Sequence, residues 1–195
     1  MTRKEQKEER RKAILMTALN LFVEKGYYET KITDIAQAAS MSTGLMFHYF
    51  ESKEELLLEV VKMGAQGTKA LSSGADSDKM KDLPPDVYLK SFLTQMFQYA
   101  NEQPWVFNMF VLMGQVRRAG MPEKAREAAR QVDSIEFTAK IIRKGQKQGI
   151  FRKGDPKLLA TCFWASVQGI MEEMAAGKDL RDIDPEWLMA MLRKE

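Results

Sequence analysis

Apolar residues recur every three or four positions along most of the chain, which is the spacing of one face of an α-helix. The C-terminal part has no convincing two-residue alternation, so no strand is predicted there. The longest dense apolar stretch, Trp105–Met113, is interrupted by Asn108 and falls short of the roughly 18 residues that a membrane span needs. The pattern therefore predicts an all-α fold with about nine helices.

The first predicted helix extends from about Lys4 to Lys25, and Gly26 suits the residue that follows a helix. Its apolar stripe should pack against the next two helices and hold them rigidly. We therefore interpret the stripe as core, formed by Ile14, Ala18, Leu21 and Phe22.

Two short helices joined by a tight turn are predicted next. Thr33 can cap a helix over Asp34–Ala39, and Ser42 can cap a second helix over Thr43–Tyr49. This arrangement, with the second helix placed to enter a groove, is typical of a helix-turn-helix that reads DNA.

This segment resembles the DNA-binding domain of TetR-type bacterial transcriptional regulators. The matching positions are Gly26, Tyr27, Thr30, Ile32, Asp34, Ile35, Ala36, residues 42–50 and residues 52–56. The resemblance implies a DNA-binding domain over residues 1–52 and a helical ligand-binding and dimerisation domain over residues 53–195. The family usually has Gly where Ser40 stands, because the turn requires a left-handed residue, so we expect an adjusted or slightly strained turn here. The family usually has Tyr where Phe47 stands, and Phe47 lacks the hydroxyl that contacts a phosphate.

Side chains on and beside the second short helix are candidates for DNA contact. Thr43 can hydrogen-bond base edges, Leu45 or Phe47 can meet a thymine methyl, and Gly44 allows a close approach. His48 could contact a phosphate or base, or be merely exposed. Others are better placed for phosphates. The full predicted set is Lys31, Thr33, Ser42, Thr43, Gly44, Leu45, Phe47, His48, Tyr49 and Lys53.

Residues 1–12 are rich in charge of both signs, with Lys and Arg interspersed with Glu. They could form an arm that meets DNA phosphates. They could equally be a solvated helix face with ion pairs such as Glu8–Lys12. The sequence leaves both alternatives open.

Composition changes this picture little. The net charge is +3 and the pI about 8.9, which supports nucleic-acid binding only weakly. A single cysteine excludes an intrachain disulfide, and the charged N-terminus does not resemble a secretory signal, so we expect a cytoplasmic protein. Nucleotide, zinc-protease and paired-cysteine motifs do not occur. We therefore expect no enzyme activity, no metal and no cofactor.

A capping box of Ser52 and Glu55 predicts that a long helix begins at Lys53. The polar stretch Ser72–Asp86, with adjacent prolines, predicts a loop. Later helices are predicted over Val87–Gln103, from Pro104 through Met113, over Glu123–Gly145, over Lys157–Ala176 and from Pro185 onward.

Aromatic and methionine side chains of these later helices could line a cavity for a small apolar or amphipathic ligand, or could simply fill an irregular core. Core packing has the better odds at any one position. The candidate lining residues are Tyr88, Phe92, Met96, Trp105, Met109, Met113, Trp164 and Gln168.

The last two helices are expected to form a homodimer interface. Lys157–Ala176 is apolar nearly all round, and small residues there permit close helix approach. The candidate interface residues are Cys162, Ala165, Ser166, Gly169, Ile170, Trp187, Leu188 and Met191.

Taken with the resemblance, these features predict a sequence-specific transcriptional regulator, most simply a repressor. A homodimer would bind double-stranded operator DNA and release it when a small ligand enters the C-terminal domain. The alternative is a lipophilic-ligand binding protein with lost or altered DNA specificity, for which the departures at Ser40 and Phe47 are the only support. Salt-dependent binding to promoter DNA separates the two.

Overall fold

A computed structural model describes residues 2–75 and 83–194, with side chains through residue 67 in the first range and throughout the second. These residues form ten helices and no strand, which confirms the all-α prediction. The helices are α1 (Arg3–Lys25), α2 (Ile32–Ala38), α3 (Thr43–Phe47), α4 (Lys53–Ala75), α5 (Pro85–Glu102), α6 (Trp105–Val116), α7 (Glu123–Arg130), α8 (Ser134–Lys147), α9 (Pro156–Ala175) and α10 (Pro185–Ala190).

The chain divides into two compact units. The first contains the residues up to Gln66 together with Asn108–Gln131, and the second contains Gly67–Phe107 and the chain from Val132 onward. The first unit is therefore larger than the domain predicted over residues 1–52. It also includes the start of α4, part of α6 and all of α7.

The core of the first unit forms around α1. Ile14, Ala18 and Phe22 are buried as predicted, whereas Leu21 is only half-buried and Leu15 and Leu19 complete the stripe instead. The rest of this core comes from α2, α3, α4 and the loop before α4, which contribute Ile35, Ala36, Met46, Phe50, Leu56, Leu57, Val60 and Val61. This apolar contact fixes α2 and α3 on α1.

The single helix predicted over Glu123–Gly145 is two helices. Asp133 ends the first by capping the second, since its carboxylate accepts the backbone N–H of Glu136 at 2.8 Å. The break also separates the units, because α7 belongs to the first and α8 to the second. Ile135, which a single helix over Glu123–Gly145 would place on the apolar face, is exposed as a result.

The predicted loop over Ser72–Asp86 begins later than expected, because α4 continues to Ala75. Residues 76–82 lie outside the described part of the chain, and α5 begins at Pro85.

The last predicted helix is also shorter than the sequence pattern suggested. α10 has six residues, after which the chain pairs with the turn following α8. The backbone N–H of Arg152 donates to the carbonyl of Leu192 at 2.8 Å, and Phe151 forms an isolated antiparallel bridge with Arg193. Helical periodicity alone could not reveal this competing pairing. Within residues 2–75 and 83–194, no helix is long and apolar enough to cross a membrane.

Candidate DNA-binding surface

The turn between α2 and α3 depends on a left-handed residue. Ser40 has φ 54°, the region that favours glycine. Its N–H donates to the carbonyl of Gln37 at 3.0 Å, and the N–H of Met41 donates to the carbonyl of Ala36 at 2.9 Å. The turn therefore keeps the geometry that the sequence predicted despite the departure from glycine, at a cost of about 1 kcal/mol.

Ser42 caps α3 as predicted, because its hydroxyl accepts the backbone N–H of Leu45 at 3.2 Å. The helix has five residues and ends at Phe47, whereas the sequence predicted an end at Tyr49. The N–H groups of His48 and Tyr49 instead close the last turn by donating to carbonyls three residues earlier, at 3.1 and 2.9 Å.

The two sides of α3 are sharply different in burial. Met46 is fully buried, whereas Phe47 is 50% exposed. Gly44 and His48 are also exposed, and Thr43, Leu45 and Tyr49 are half-buried. A side chain at Gly44 would find no atom within 4 Å, so the start of α3 faces open space. The five-residue helix α3 therefore has one side that packs in the core and one exposed side, which we call the free side of α3.

The helix α2 begins earlier than predicted. Thr33 is not its cap but lies exposed in its first turn, and Lys31 occupies the cap position. The backbone N–H of Lys31 donates to the carboxylate of Asp34 at 3.1 Å. The buried hydroxyl of Thr30 donates to the carbonyl of Gly26 at 2.7 Å, which fixes the preceding loop. The side chains of Lys31 and Thr33 remain accessible.

The amino group of Lys53, predicted to contact phosphate, is directed into the protein. Its Nζ donates to the backbone carbonyls of Tyr27, Thr30 and Tyr28 at 2.8, 2.9 and 3.3 Å. It also lies 4.4 Å from the centre of the Tyr27 ring. Burial lowers the pKa of Lys53 from its ordinary value, and the nearby carboxylate of Glu29 opposes that shift.

The chain start is a regular helix rather than an irregular arm. Thr2 and Glu5 form a reciprocal capping box at the start of α1. Arg11 pairs with Glu59 of α4 at 2.5 Å, and hydrogen bonds from Lys62 and Arg11 hold the pKa of Glu59 below its ordinary value. Among the ion pairs of the described residues, the expected Glu8–Lys12 pair does not occur.

Three contacts join α1, the loop after it and α4 to the later segment of the first unit. The Tyr28 hydroxyl donates to the carbonyl of Gly120, and the side-chain amide of Asn108 donates to Asn20 at 2.9 Å. Gly64 lies against Met109, whose sulfur would be 2.5 Å from an added Cβ. These contacts were missed from sequence because residues so distant along the chain give no local signal.

Most of the predicted ligand-lining residues in the second unit lie close together. Tyr88, Phe92 and Met96 of α5 are buried. The Phe92 and Trp164 rings are 6.2 Å apart and edge to face, and the Tyr88 and Phe137 rings are 6.3 Å apart. The structure therefore brings aromatic side chains of α5, α8 and α9 into one cluster.

Trp164 is held in place by its indole N–H, which donates to the hydroxyl of Thr138 at 2.9 Å and to the carbonyl of Ser134 at 3.1 Å. Thr138 is itself buried. Gln168, one turn later, is half-buried and donates to Glu172 at 2.9 Å.

Three of the predicted lining residues lie apart from this aromatic cluster. Met109 and Met113 belong to the first unit. Trp105 is half-buried and contacts the ring of Tyr99 edge to face at 6.4 Å.

A groove of about 360 Å³ occurs on the second unit, and it is open to solvent. It is lined by Asp86, Val87, Lys90, Ser91, Thr94, Gln95 and Arg193, none of which was predicted to bind the ligand. The described part of the chain also contains no cluster of three His, Cys, Asp or Glu side chains that could hold a metal ion.

The predicted dimer face is largely uncovered in the single chain. Cys162, Ala165 and Gly169 are exposed along α9, and Trp187 of α10 is 67% exposed. Ser166, Ile170 and Met191 are half-buried.

Two residues change the predicted interface set. Leu188 is only 5% exposed within its own chain, so its side chain cannot be offered to a second copy. Leu158, not predicted for the interface, is 68% exposed on α9 and extends the apolar face.

The fold and the free side of α3 define a helix-turn-helix DNA-binding protein. A family model described as bacterial regulatory proteins, tetR family, matches residues 14–60, and a tetracyclin repressor-like C-terminal domain model matches residues 86–183. Together these models cover more than half of the chain. The chain belongs to the TetR family of bacterial transcriptional regulators.

Curated relatives agree with this assignment. The regulator HbdR of an Aromatoleum strain is 47% identical over 55 residues, which are 28% of this chain and 24% of that relative. The regulator RutR of Escherichia coli is 26% identical over 183 residues, covering 89% of this chain and 81% of RutR. The similarity to RutR thus extends through both units, whereas that to HbdR covers a shorter stretch.

Solved structures share the fold. The TetR family regulator PfmR from Thermus thermophilus has a TM-score of 0.75 and 26% identity, covering 92% of this chain and 96% of PfmR. AibR in complex with isovaleryl coenzyme A and operator DNA has a TM-score of 0.68 and 21% identity, covering 93% of this chain and 94% of AibR. The latter similarity concerns the fold alone.

Proposed function

We propose that this regulator is a homodimeric repressor that binds a near-palindromic operator and is released by a small apolar or amphipathic ligand. The observation that carries the DNA-binding part is the free side of α3. Met46 anchors the helix in the core while Gly44, Phe47 and His48 stay exposed. A helix supported in this way can enter the major groove without reorganising.

The contacts divide into base reading and phosphate binding. Thr43 offers a hydroxyl to base edges at the accessible start of α3, and Leu45 or Phe47 can meet a thymine methyl. Lys31 and Thr33 lie in the first turn of α2, where backbone N–H groups favour phosphate. Ser42 and Tyr49 flank α3, and Tyr49 retains the phenolic hydroxyl that Phe47 lacks.

The homodimer would be formed through the exposed apolar face of the second unit. Leu158, Cys162, Ala165 and Gly169 follow one another along α9 at helical spacing, and Trp187 adds a large exposed ring from α10. Such a face matches its own copy about a two-fold axis. The paired recognition helices would then lie about 34–36 Å apart, one turn of DNA.

The aromatic cluster of α5, α8 and α9 is the proposed ligand-responsive region. Tyr88, Phe92 and Trp164 offer ring faces suited to apolar groups, and Thr138 offers a buried hydroxyl. AibR, which shares the fold, has been solved with both isovaleryl coenzyme A and operator DNA. That precedent supports a small molecule and an operator as partners of this chain.

The deciding experiment is binding to DNA from upstream of the regulator's own gene, measured by fluorescence anisotropy between 50 and 200 mM salt. Over this range a protein that makes about six to ten phosphate contacts loses about 10³–10⁵-fold in affinity. A random duplex of equal length is the control. Specific binding should exceed binding to that control by at least about 10³-fold. Equal affinity for both duplexes would refute the proposal and favour a ligand-binding protein without DNA specificity.

A further inference from the structure

The amino group of Lys53 is fully engaged within its own chain. An ammonium has three N–H donors and no acceptor, and three backbone carbonyls surround this one at 2.8, 2.9 and 3.3 Å. The Tyr27 ring adds a cation–π contact at 4.4 Å. A phosphate contact would require this group to leave partners that already satisfy every donor.

The three backbone carbonyls also depend on Lys53 for a hydrogen-bond donor. The carbonyls of Tyr27, Tyr28 and Thr30 lie between α1 and α2, outside either helix. Within the described ranges, no backbone N–H donates to any of the three. Because unsatisfied carbonyls in a half-buried loop are costly, Lys53 supplies what regular secondary structure supplies elsewhere.

The position of Lys53 strengthens this argument. It occupies the first residue of α4, next to the positive end of the helix dipole, where a cation is disfavoured. Burial disfavours the charged form as well. The three convergent carbonyl oxygens favour the charged form and so oppose both effects.

We propose that Lys53 is a positioning residue that clamps the loop over residues 26–31, rather than a phosphate ligand. By fixing this loop to α4, it sets where α2 begins and thus where Lys31 and Thr33 meet DNA. This inference rests on the proposed operator binding. It assigns to an internal contact a residue that the family resemblance would place on the DNA backbone.

The two roles of Lys53 are distinguished by comparing a variant that keeps the charge with a variant that removes it. They make opposite predictions for the variant that keeps the charge. Lys53→Arg keeps the charge, but a planar guanidinium fork does not converge on three carbonyls as an ammonium does. Lys53→Met removes the charge and keeps the length. A clamp predicts that both variants lose operator affinity, about tenfold or more, because the loop must then be ordered during binding. If Lys53 instead contacted a phosphate, the operator affinity of Lys53→Arg would be close to that of the wild type.

The salt dependence provides the second discriminating measurement. Removing a side chain that neutralises one phosphate reduces the slope of log K against log salt by about 0.9. A clamp predicts an unchanged slope for Lys53→Met, whereas the control Lys31→Met, at a proposed phosphate contact, should have a reduced slope. A reduced slope for Lys53→Met together with wild-type affinity for Lys53→Arg would overturn the proposal.

A third measurement works without DNA and separates this proposal from the proposed function. Amide hydrogen exchange of the free protein should accelerate across residues 26–31 in Lys53→Met, and in Lys31→Met should stay as in the wild type. If the wild type binds no operator but this acceleration occurs, the function fails and the clamp stands. Unchanged exchange in Lys53→Met would refute the clamp. Should Lys53→Met not fold, Lys53→Gln replaces it with the same expected outcomes, because its shorter side chain has two N–H donors and cannot satisfy all three carbonyls.

Discussion

The hydroxyl of Tyr28, in the loop after α1, donates to the backbone carbonyl of Gly120, which lies 92 positions later in the chain. This hydrogen bond ties the base of the helix-turn-helix to the turn between α6 and α7 within the first unit. Tyr28 is 64% exposed, so water competes for the same groups. The hydrogen bond therefore positions the loop after α1 against the turn between α6 and α7, and it contributes little to the stability of the fold.

Tyr28→Phe should lower the free energy of unfolding by no more than about 1 kcal/mol, because the lost hydrogen bond is exposed. Urea denaturation at one fixed protein concentration measures this. Tyr99→Phe, an exposed tyrosine of the second unit, is the matched control and should be neutral. A loss of several kcal/mol would mean that Tyr28 supports packing that the structure does not attribute to it.

Ser40→Gly should stabilise the protein by up to about 1 kcal/mol. Glycine removes the steric cost of the left-handed conformation at φ 54°, although it also increases the entropy of the unfolded chain. Ser40→Ala, which keeps a Cβ, should show no gain. Chemical denaturation compares the three proteins, and an equal gain for alanine would show that the serine hydroxyl, not the backbone, was the source of strain.

Thr43→Ala should relax the preference at one base pair in each half-site, costing about 1–3 kcal/mol for the preferred base. The reason is that its hydroxyl is available at the start of α3, where the backbone is open to DNA. Competition binding with single-base operator variants measures the preference. Equal losses on operator and random DNA would remove Thr43 from base reading.

Leu158→Glu and Trp187→Glu should each convert the dimer into monomers at micromolar concentration. Both side chains are about two-thirds exposed in the single chain, and a carboxylate placed between two copies would be buried without a partner. Val87→Glu, at another exposed apolar residue of the second unit, is the control. Sedimentation velocity reports the mass, and dimers that persist in both variants would place the interface elsewhere.

An apolar ligand that enters the aromatic cluster should change the emission of Trp164, whose indole is fixed by Thr138 and Ser134. A titration with fatty acyl, aromatic and cationic amphiphiles tests this in a Trp105→Phe, Trp187→Phe background, which leaves Trp164 as the single indole of the chain. Operator DNA should weaken ligand binding by the same factor as ligand weakens operator binding, typically about 5–150-fold. Quenching that is indifferent to operator would indicate a real but uncoupled cavity.

Local features of the backbone could be predicted from the sequence. Ser42 as a cap, Gly26 as a helix end and Ser40 as a left-handed turn residue each follow from short-range chemistry, and the structure confirms their geometry. Burial of Met46 and Phe50 followed from helical spacing in the same way.

Most errors arose where the local structure depends on residues that are distant in the sequence. The carbonyls that hold Lys53 lie 23 to 26 positions earlier, and backbone carbonyls have no sequence signature. The end of α10 is set by pairing of Leu192 with Arg152, which no helical pattern encodes. The Thr33 error has a different origin, because the deciding contact is local: the backbone N–H of Lys31 donates to the carboxylate of Asp34, and α2 begins at Ile32.

The segment Asn108–Gln131 lies in the same compact unit as the helix-turn-helix, so the DNA reader is not an interchangeable module ending at residue 52 or 60. A recombination event or laboratory graft that replaces only the N-terminal stretch would bring a foreign surface against Asn108 and Gly120, the partners of Asn20 and Tyr28. Chimeric regulators built from this chain should therefore keep control of an operator only when both stretches come from one parent.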